Sequence, residues 1–280
     1  MKEPSLLVEN LSVTYNNGHK ALDSASFSIP GESITALVGI NGSGKSTLFK
    51  AIMGFVKSST GKIEVLGGSV KDALKENLVA YVPQNEEIDW DFPVLVKDVV
   101  MMGRYGHMGI LKIPKQKDHD TVKDSLKKVG MAELADRQIS ELSGGQRKRV
   151  FLARALAQQS RIILMDEPFT GIDVNTEEEI MSLLRQLKSQ GKVMLISTHN
   201  LGSVPEFCDR TILLNRKVLA EGNTSEVFTQ ENLTNAFEGV LRRYVLSATE
   251  LHNDDDQREV VVLSDDERPV VIYGGDEKSD

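Results

Sequence analysis

A short apolar run, Ser33–Val38, leads directly into Gly39-Ile40-Asn41-Gly42-Ser43-Gly44-Lys45-Ser46, and helical spacing follows over Ser46–Val56. This strand, glycine-rich loop and helix constrain the fold more than any other stretch. Glycines at 39, 42 and 44 let the backbone curl so that successive N–H groups point inward, a cradle for phosphate oxygens. The helix starts where the loop ends, so its positive dipole end faces the same place. Lys45 adds a point charge for the β- and γ-phosphates. Ser46 can put a hydroxyl on Mg2+, and Thr47 is next in line for the α-phosphate.

Further strand-like runs lie at Ser5–Tyr15, Gly61–Leu66, Asn77–Val82, Arg161–Met165 and Lys192–Ser197. Asn16-Asn17-Gly18 reads as a turn, and Pro83 ends the Asn77–Val82 strand. Helical periods fall at Gln146–Ala157 and Val174–Ser189. Strands alternating with helices predict an α/β fold with a largely parallel, covered sheet. Asn85–Ser140 breaks the rhythm. Its helical periods at Val94–Met102 and Asp118–Val129, with a Gly/Pro-containing link, read as a helical insertion of about residues 85–140.

Ile162–Met165 has the pattern of a buried strand, and Asp166-Glu167 emerges at its end. In parallel sheets, sites gather at the carboxyl ends of strands. There Asp166 can sit one water away from Mg2+, and Glu167 can polarise an attacking water. Leu142-Ser143-Gly144-Gly145-Gln146 offers a hydroxyl and glycine N–H groups at a helix start, which is a second anion site.

On these motifs the chain resembles the ATP-binding subunits of the ABC transporter family over roughly residues 5–240, and the pentapeptide is similar to that family's signature. The resemblance implies an α/β P-loop NTPase core with a largely parallel sheet, an N-terminal antiparallel β subdomain and an inserted α-helical subdomain. It implies ATP and Mg2+ as cofactors and a homodimer arranged head to tail. Each ATP would lie between the phosphate loop of one subunit and Ser143, Gly144, Gly145 and Gln146 of the other.

The family pattern supplies further positions. Tyr15 falls where an aromatic stacks on adenine. Gln84, after Tyr81-Val82-Pro83, matches a glutamine that touches Mg2+ and water and links to the membrane partner. Asp173 of Gly171-Ile172-Asp173 matches a loop at the dimer interface, and His199 matches a histidine on the γ-phosphate. Ile40 departs from the Pro or Arg often found there, without consequence for binding by backbone groups. Glu167 and His199 are the expected catalytic pair, and Ser46, Gln84 and Asp166 the expected Mg2+ group.

No apolar run approaches the roughly 20 residues that span a bilayer. Transport therefore implies separate transmembrane permease subunits, docked near Gln84–Arg104, with this chain peripheral on the cytoplasmic face of the membrane. Met1-Lys2-Glu3-Pro4 reads as no signal peptide, and the single Cys208 fits a reducing compartment. The net charge of −8 belongs to the C-terminal stretch: from Ala248 onward there are 11 Asp+Glu against 3 Lys+Arg, and the remainder is balanced. A balanced body excludes a nucleic-acid binder on charge grounds. The stretch 248–280 carries two β-prone runs, Val260–Leu263 and Pro269–Gly274, suited to a hairpin with a frayed end; disorder is the competing outcome.

Tyr81–Gly106 is similar to the branch that imports manganese, iron and zinc through an extracytoplasmic metal-binding receptor, chelated iron and manganese systems above all. Trp90 and Phe92 are equally an apolar anchor for a partner helix or part of the insertion's own core. His252 with Asp254–Asp256 is a solvated acidic run before it is a metal site. The alternatives are an importer ATPase for another substrate, a non-transport ABC ATPase, or a subunit that holds ATP without turnover. Repair-type members place long coiled coils between the two motifs, whereas Lys45 and Ser143 are 98 positions apart; Glu167 and His199 argue against the last alternative.

Overall fold

The computed structural model describes residues 4–84, 93–237, 242–246, 260–264 and 270–273. Trp90 and Phe92, and His252 with Asp254–Asp256, lie outside the described residues. Two strands open the chain, β1 (Leu6–Thr14) and β2 (Lys20–Ile29), joined by a turn in which the Gly18 N–H reaches the Tyr15 carbonyl at 2.9 Å. Their pairing shifts register near Asn10 and Ser24, both left-handed, at φ 49° and 53°. Each bulge slips the in–out alternation by a residue. That is why β2 carries no clean period-two signal.

Next come β3 (Ile34–Val38), α1 (Lys45–Ile52), β4 (Thr60–Val65), β5 (Gly68–Ser69), α2 (Val70–Lys75) and β6 (Val79–Val82). The helical layer consists of α3 (Val96–Met102), α4 (Gln116–Lys128) and α5 (Gly144–Ala157). Then follow β7 (Ile162–Asp166), α6 (Val174–Ser189), β8 (Val193–Thr198), α7 (Val204–Phe207), β9 (Arg210–Asn215), β10 (Lys217–Asn223), α8 (Thr224–Val227) and α9 (Gln230–Phe237).

One sheet is antiparallel, in the order β2-β1-β4-β5. The other runs β10-β9-β3-β8-β7-β6, parallel throughout except for the edge pair β9–β10. Every residue of β3, β7 and β8 is buried, which is what uninterrupted apolar runs covered on both faces require. Alternate side chains serve two cores. Ile162, Leu164, Val193 and Leu195 pack with α1 and the antiparallel sheet, while Ile163, Met165, Met194 and Ile196 pack with α5 and α6.

The helical layer is pinned by Arg104. Only 2% exposed, it donates to Asp118 Oδ1 at 3.0 Å, the Ala157 carbonyl at 2.8 Å and Gln159 Oε1 at 3.0 Å. One side chain thus ties the ends of α3 and α5 to the first turn of α4. Arg104, at the end of the stretch expected to meet a membrane partner, is internal, whereas its neighbours Met102 and Tyr105 are exposed.

Three later strands, β11 (Arg242–Leu246), β12 (Val260–Ser264) and β13 (Val270–Tyr273), form an antiparallel sheet in that order. It begins before the composition break at Ala248, because β11 pairs across the acidic run. Among the described residues no helix is long and apolar enough to cross a membrane.

Candidate nucleotide-binding site

Because β3, β8, β7 and β6 are parallel neighbours, their carboxyl ends share one edge. Across that edge, in order, stand the loop from Gly39 to Ser46, then His199, then Asp166 and Glu167, then Gln84. Residues up to 160 positions apart in sequence meet for this reason alone.

The loop is shaped by close approach. A Cβ on Gly39 would lie 2.1 Å from the Leu214 carbonyl oxygen. Gly44 is left-handed at φ 103°, and a Cβ there would meet the Ala21 carbonyl oxygen at 2.6 Å. As the residue before α1, Gly44 offers no side-chain cap to the helix's first N–H groups, which suits an anion there. Lys45 is buried, and its Nζ donates to the Gly39 and Ile40 carbonyls at 2.7 and 3.1 Å. Burial pushes its pKa below the ordinary value, against the pull of Glu167 and Asp166. Ser43 Oγ is buried with no hydrogen-bond partner among the described residues. Ile40 packs on the apolar cluster beneath, and Asn41 and Gly42 stand exposed at the rim.

Tyr15, Asn41, Gly42, Gly44 to Thr47, Gln84 and Glu167 line a cleft of about 420 Å³, ample for a ligand. Tyr15 is tethered there through a 3.1 Å hydrogen bond between its hydroxyl and Thr47 Oγ1. His19, not singled out from the sequence, joins the same lining. Ser46, Gln84 and Asp166 also share the wall of an adjoining groove of about 630 Å³ that reaches Phe55 and Met102. A hydroxyl, an amide oxygen and a carboxylate are the hard donors that Mg2+ takes, so these residues fit that ion.

Glu167 is buried and sits at the centre of a network. Its Oε2 accepts from Gln84 Nε2 at 2.5 Å, and its Oε1 lies 3.4 Å from His199 Nδ1. The approach of His199 at 3.4 Å, then the charges of Lys45 and Lys148, hold its carboxyl below the usual range, against burial. Asp166 accepts from Ser197 Oγ at 2.5 Å. Ser197 escaped the sequence reading, because nothing within its apolar strand marks it; only strand pairing brings it opposite Asp166.

The pentapeptide lies elsewhere. Ser143 caps α5: its Oγ accepts from the Gln146 N–H at 3.3 Å, and Gln146 Oε1 accepts from the Ser143 N–H at 2.9 Å. Ser143 and Gly144 are exposed, and a Cβ on Gly144 would meet nothing within 4 Å. None of Ser143, Gly144, Gly145 and Gln146 lines the cleft of the phosphate loop. Gly144 instead borders a separate, largely apolar cleft with Gln84 and Glu167. Asp173 caps α6, accepting from the Thr176 N–H at 3.0 Å and Thr176 Oγ1 at 2.7 Å, so its carboxylate is committed to its own helix.

The sequence model of the family described as ABC transporter matches residues 22–170, which include the loop, Gln84, the pentapeptide and both acids. The chain belongs to the ABC transporter family. It is an ABC ATPase, of the ATP-binding kind. It is 60% identical over 271 residues to the chelated iron transport system membrane protein YfeB of Yersinia pestis, covering 97% of this chain and 92% of that one. It is 58% identical over 233 residues to the manganese transport system ATP-binding protein MntA of a Synechocystis strain, covering 83% and 90%. Among solved structures, an ABC transporter assigned to the metal-chelate type, in an inward-facing conformation, superposes with a TM-score of 0.77 at 30% identity, over 94% of this chain and 99% of that one. The family match ends before His199 and begins after Tyr15, so the placement of those two rests on geometry.

Proposed function

We propose that this chain is the ATP-hydrolysing subunit of an importer that takes up a divalent transition metal, manganese or iron, free or chelated, through separate membrane subunits. The observation that carries the chemistry is the position of Glu167, buried beside Lys45 and held by Gln84 and His199. The cargo rests on the relatives, which are named for chelated iron and manganese transport.

In this reading the loop N–H groups and Lys45 bind the β- and γ-phosphates. Ser46, with Asp166 and Gln84 beside it, would hold Mg2+, which would offset charge on the phosphate oxygens. Glu167 orients and polarises the water that attacks the γ-phosphate in line, and His199 steadies that carboxylate and the phosphate. Tyr15 flanks the nucleotide from a fixed position on Thr47. Ser143, Gly144 and Gly145 close on the ATP of a second copy, since none of them lines its own chain's cleft and a Cβ on Gly144 would meet open space. Two copies thereby make two shared sites. ATP draws the copies together and hydrolysis releases them, a population shift driven by the tighter binding of ATP to the closed dimer. In this reading the groove bounded by Phe55 and Met102 takes a helix of the membrane subunit, with this chain on the cytoplasmic face. An extracytoplasmic receptor delivers the metal, which never touches this chain.

The test is reconstitution with its membrane subunits in vesicles, following radiolabelled manganese and iron. ATP-dependent uptake of either metal is expected, lost in Glu167→Gln. ATP-driven movement of another solute, with neither metal carried, sinks the cargo assignment; a purified chain without ATPase activity sinks the enzymatic one.

A further inference from the structure

We infer that Ser197 is a positioning residue that sets the two acids of the site, Asp166 and Glu167, through a single hydroxyl. The inference rests on the ATPase reading above and deepens it. Ser197 is the next-to-last residue of β8, fully buried, and stands directly opposite Asp166 in the parallel pairing of β7 and β8. Its Oγ donates to Asp166 Oδ1 at 2.5 Å and accepts from the Glu167 backbone N–H at 2.9 Å. The same N–H also points at the Ser197 carbonyl, at 3.2 Å.

Three consequences follow from this geometry. First, Oδ1 of Asp166 is committed inward to Ser197, while Oδ2 accepts from the Tyr81 hydroxyl at 3.5 Å, and Tyr81 lines the same groove as Ser46 and Gln84. Second, Glu167 has a left-handed backbone at φ 49°, an uncommon conformation for a residue with a side chain. The forked bond from its N–H to Ser197 holds it there. The twist carries the Glu167 side chain toward Gln84 and His199. Third, both oxygens and the N–H belong to one buried bridge, so loss of the hydroxyl loosens the Mg2+-facing carboxylate and the water-polarising carboxylate together. An ordinary core serine bonds its own strand or helix backbone; this one spans two strands and reaches both acids.

The full chain carrying Ser197→Ala, Ser197→Cys and Ser197→Thr tests this. Alanine removes the hydroxyl, cysteine keeps the volume but bonds weakly, and threonine keeps the hydroxyl. In the alanine and cysteine variants we expect kcat to fall about 10- to 100-fold. We expect KM for ATP to move less than about twofold, and the Mg2+ concentration for half-maximal activity to rise. In the nucleotide-free protein the Glu167 amide should exchange with deuterium faster in both variants, a readout independent of turnover. Threonine should recover activity, Mg2+ dependence and slow exchange. Wild-type values of all three in Ser197→Ala overturn the inference, as does a threonine variant that melts like wild type yet behaves like alanine. If the wild-type chain has no ATPase activity the enzymatic reading fails, and Glu167 amide exchange still decides the role of Ser197.

Discussion

Gln84 Nε2 lies 2.5 Å from Glu167 Oε2 and donates to it. The two leave the carboxyl ends of the neighbouring strands β6 and β7, one exposed and the other buried. Gln84 also lines the groove that reaches Phe55 and Met102. A displacement of Gln84 by anything seated in that groove therefore changes the hydrogen bonding of Glu167 directly.

Glu167→Gln keeps the shape of the side chain and removes its charge. Turnover should fall about 100-fold or more, with ATP affinity nearly unchanged. Gln84→Ala leaves the carboxylate and removes one of its holders, so its loss should be smaller, about 10-fold. Phosphate release and binding of a fluorescent ATP analogue measure the two quantities. Full turnover in Glu167→Gln contradicts the assigned role.

Ser143→Arg puts a bulky cation on the exposed cap of α5, away from the chain's own phosphate loop. Binding of ATP by the monomer should survive, whereas ATP-driven dimerisation and turnover should vanish. Size-exclusion chromatography with ATP, in a Glu167→Gln background that holds the closed state, gives the answer. A dimer that forms as in the parent refutes the shared site.

The buried pair Arg104–Asp118 makes a stability prediction. Arg104→Met leaves Asp118 in the interior with the Lys115 N–H at 2.9 Å and without its guanidinium partner. Breaking such a pair costs about 3–5 kcal/mol. The double variant Arg104→Met with Asp118→Leu removes both charges and should recover a large part of that. Urea unfolding measures both. The Lys115 N–H, and then Arg104, hold the Asp118 carboxyl below its ordinary range, against burial.

Glu167 should leave a mark on the acid limb of the pH profile. Its folded-state carboxyl titrates below the ordinary 4.5, chiefly through His199. A depressed pKa contributes stability that is complete above 4.5 and disappears as the pH falls through the lower folded value. His199→Gln removes the main cause, so the acid limb of kcat should move up toward the ordinary value. An unmoved limb excludes His199 as the cause.

Much of this was legible in the chain. The strand ending at Val38, the loop to Ser46, the buried run before Asp166 and the helix start at Leu142–Gln146 are local features. They appear in the structure where spacing put them, because turn, cap and burial preferences act over a few residues. Less local features were hidden. The bulges near Asn10 and Ser24 erased the alternation of β2. The role of Arg104 was invisible, because a lone arginine after a helix reads as a surface residue until α4 and α5 close over it. Asp173, placed from the family pattern in a dimer loop, also caps α6 by accepting from the Thr176 N–H.

The sequence by itself determined that this chain binds nucleoside phosphates in an α/β frame, because the phosphate loop works through its own backbone and its own helix start. Only the tertiary structure decided which of its side chains touch one another, and added Ser197 to them. Sheet order makes β3, β8, β7 and β6 neighbours, and so brings Gln84, Ser197 and His199 onto Asp166 and Glu167. Hydrogen bonds between strands choose those partners, and nothing local to any one strand encodes them.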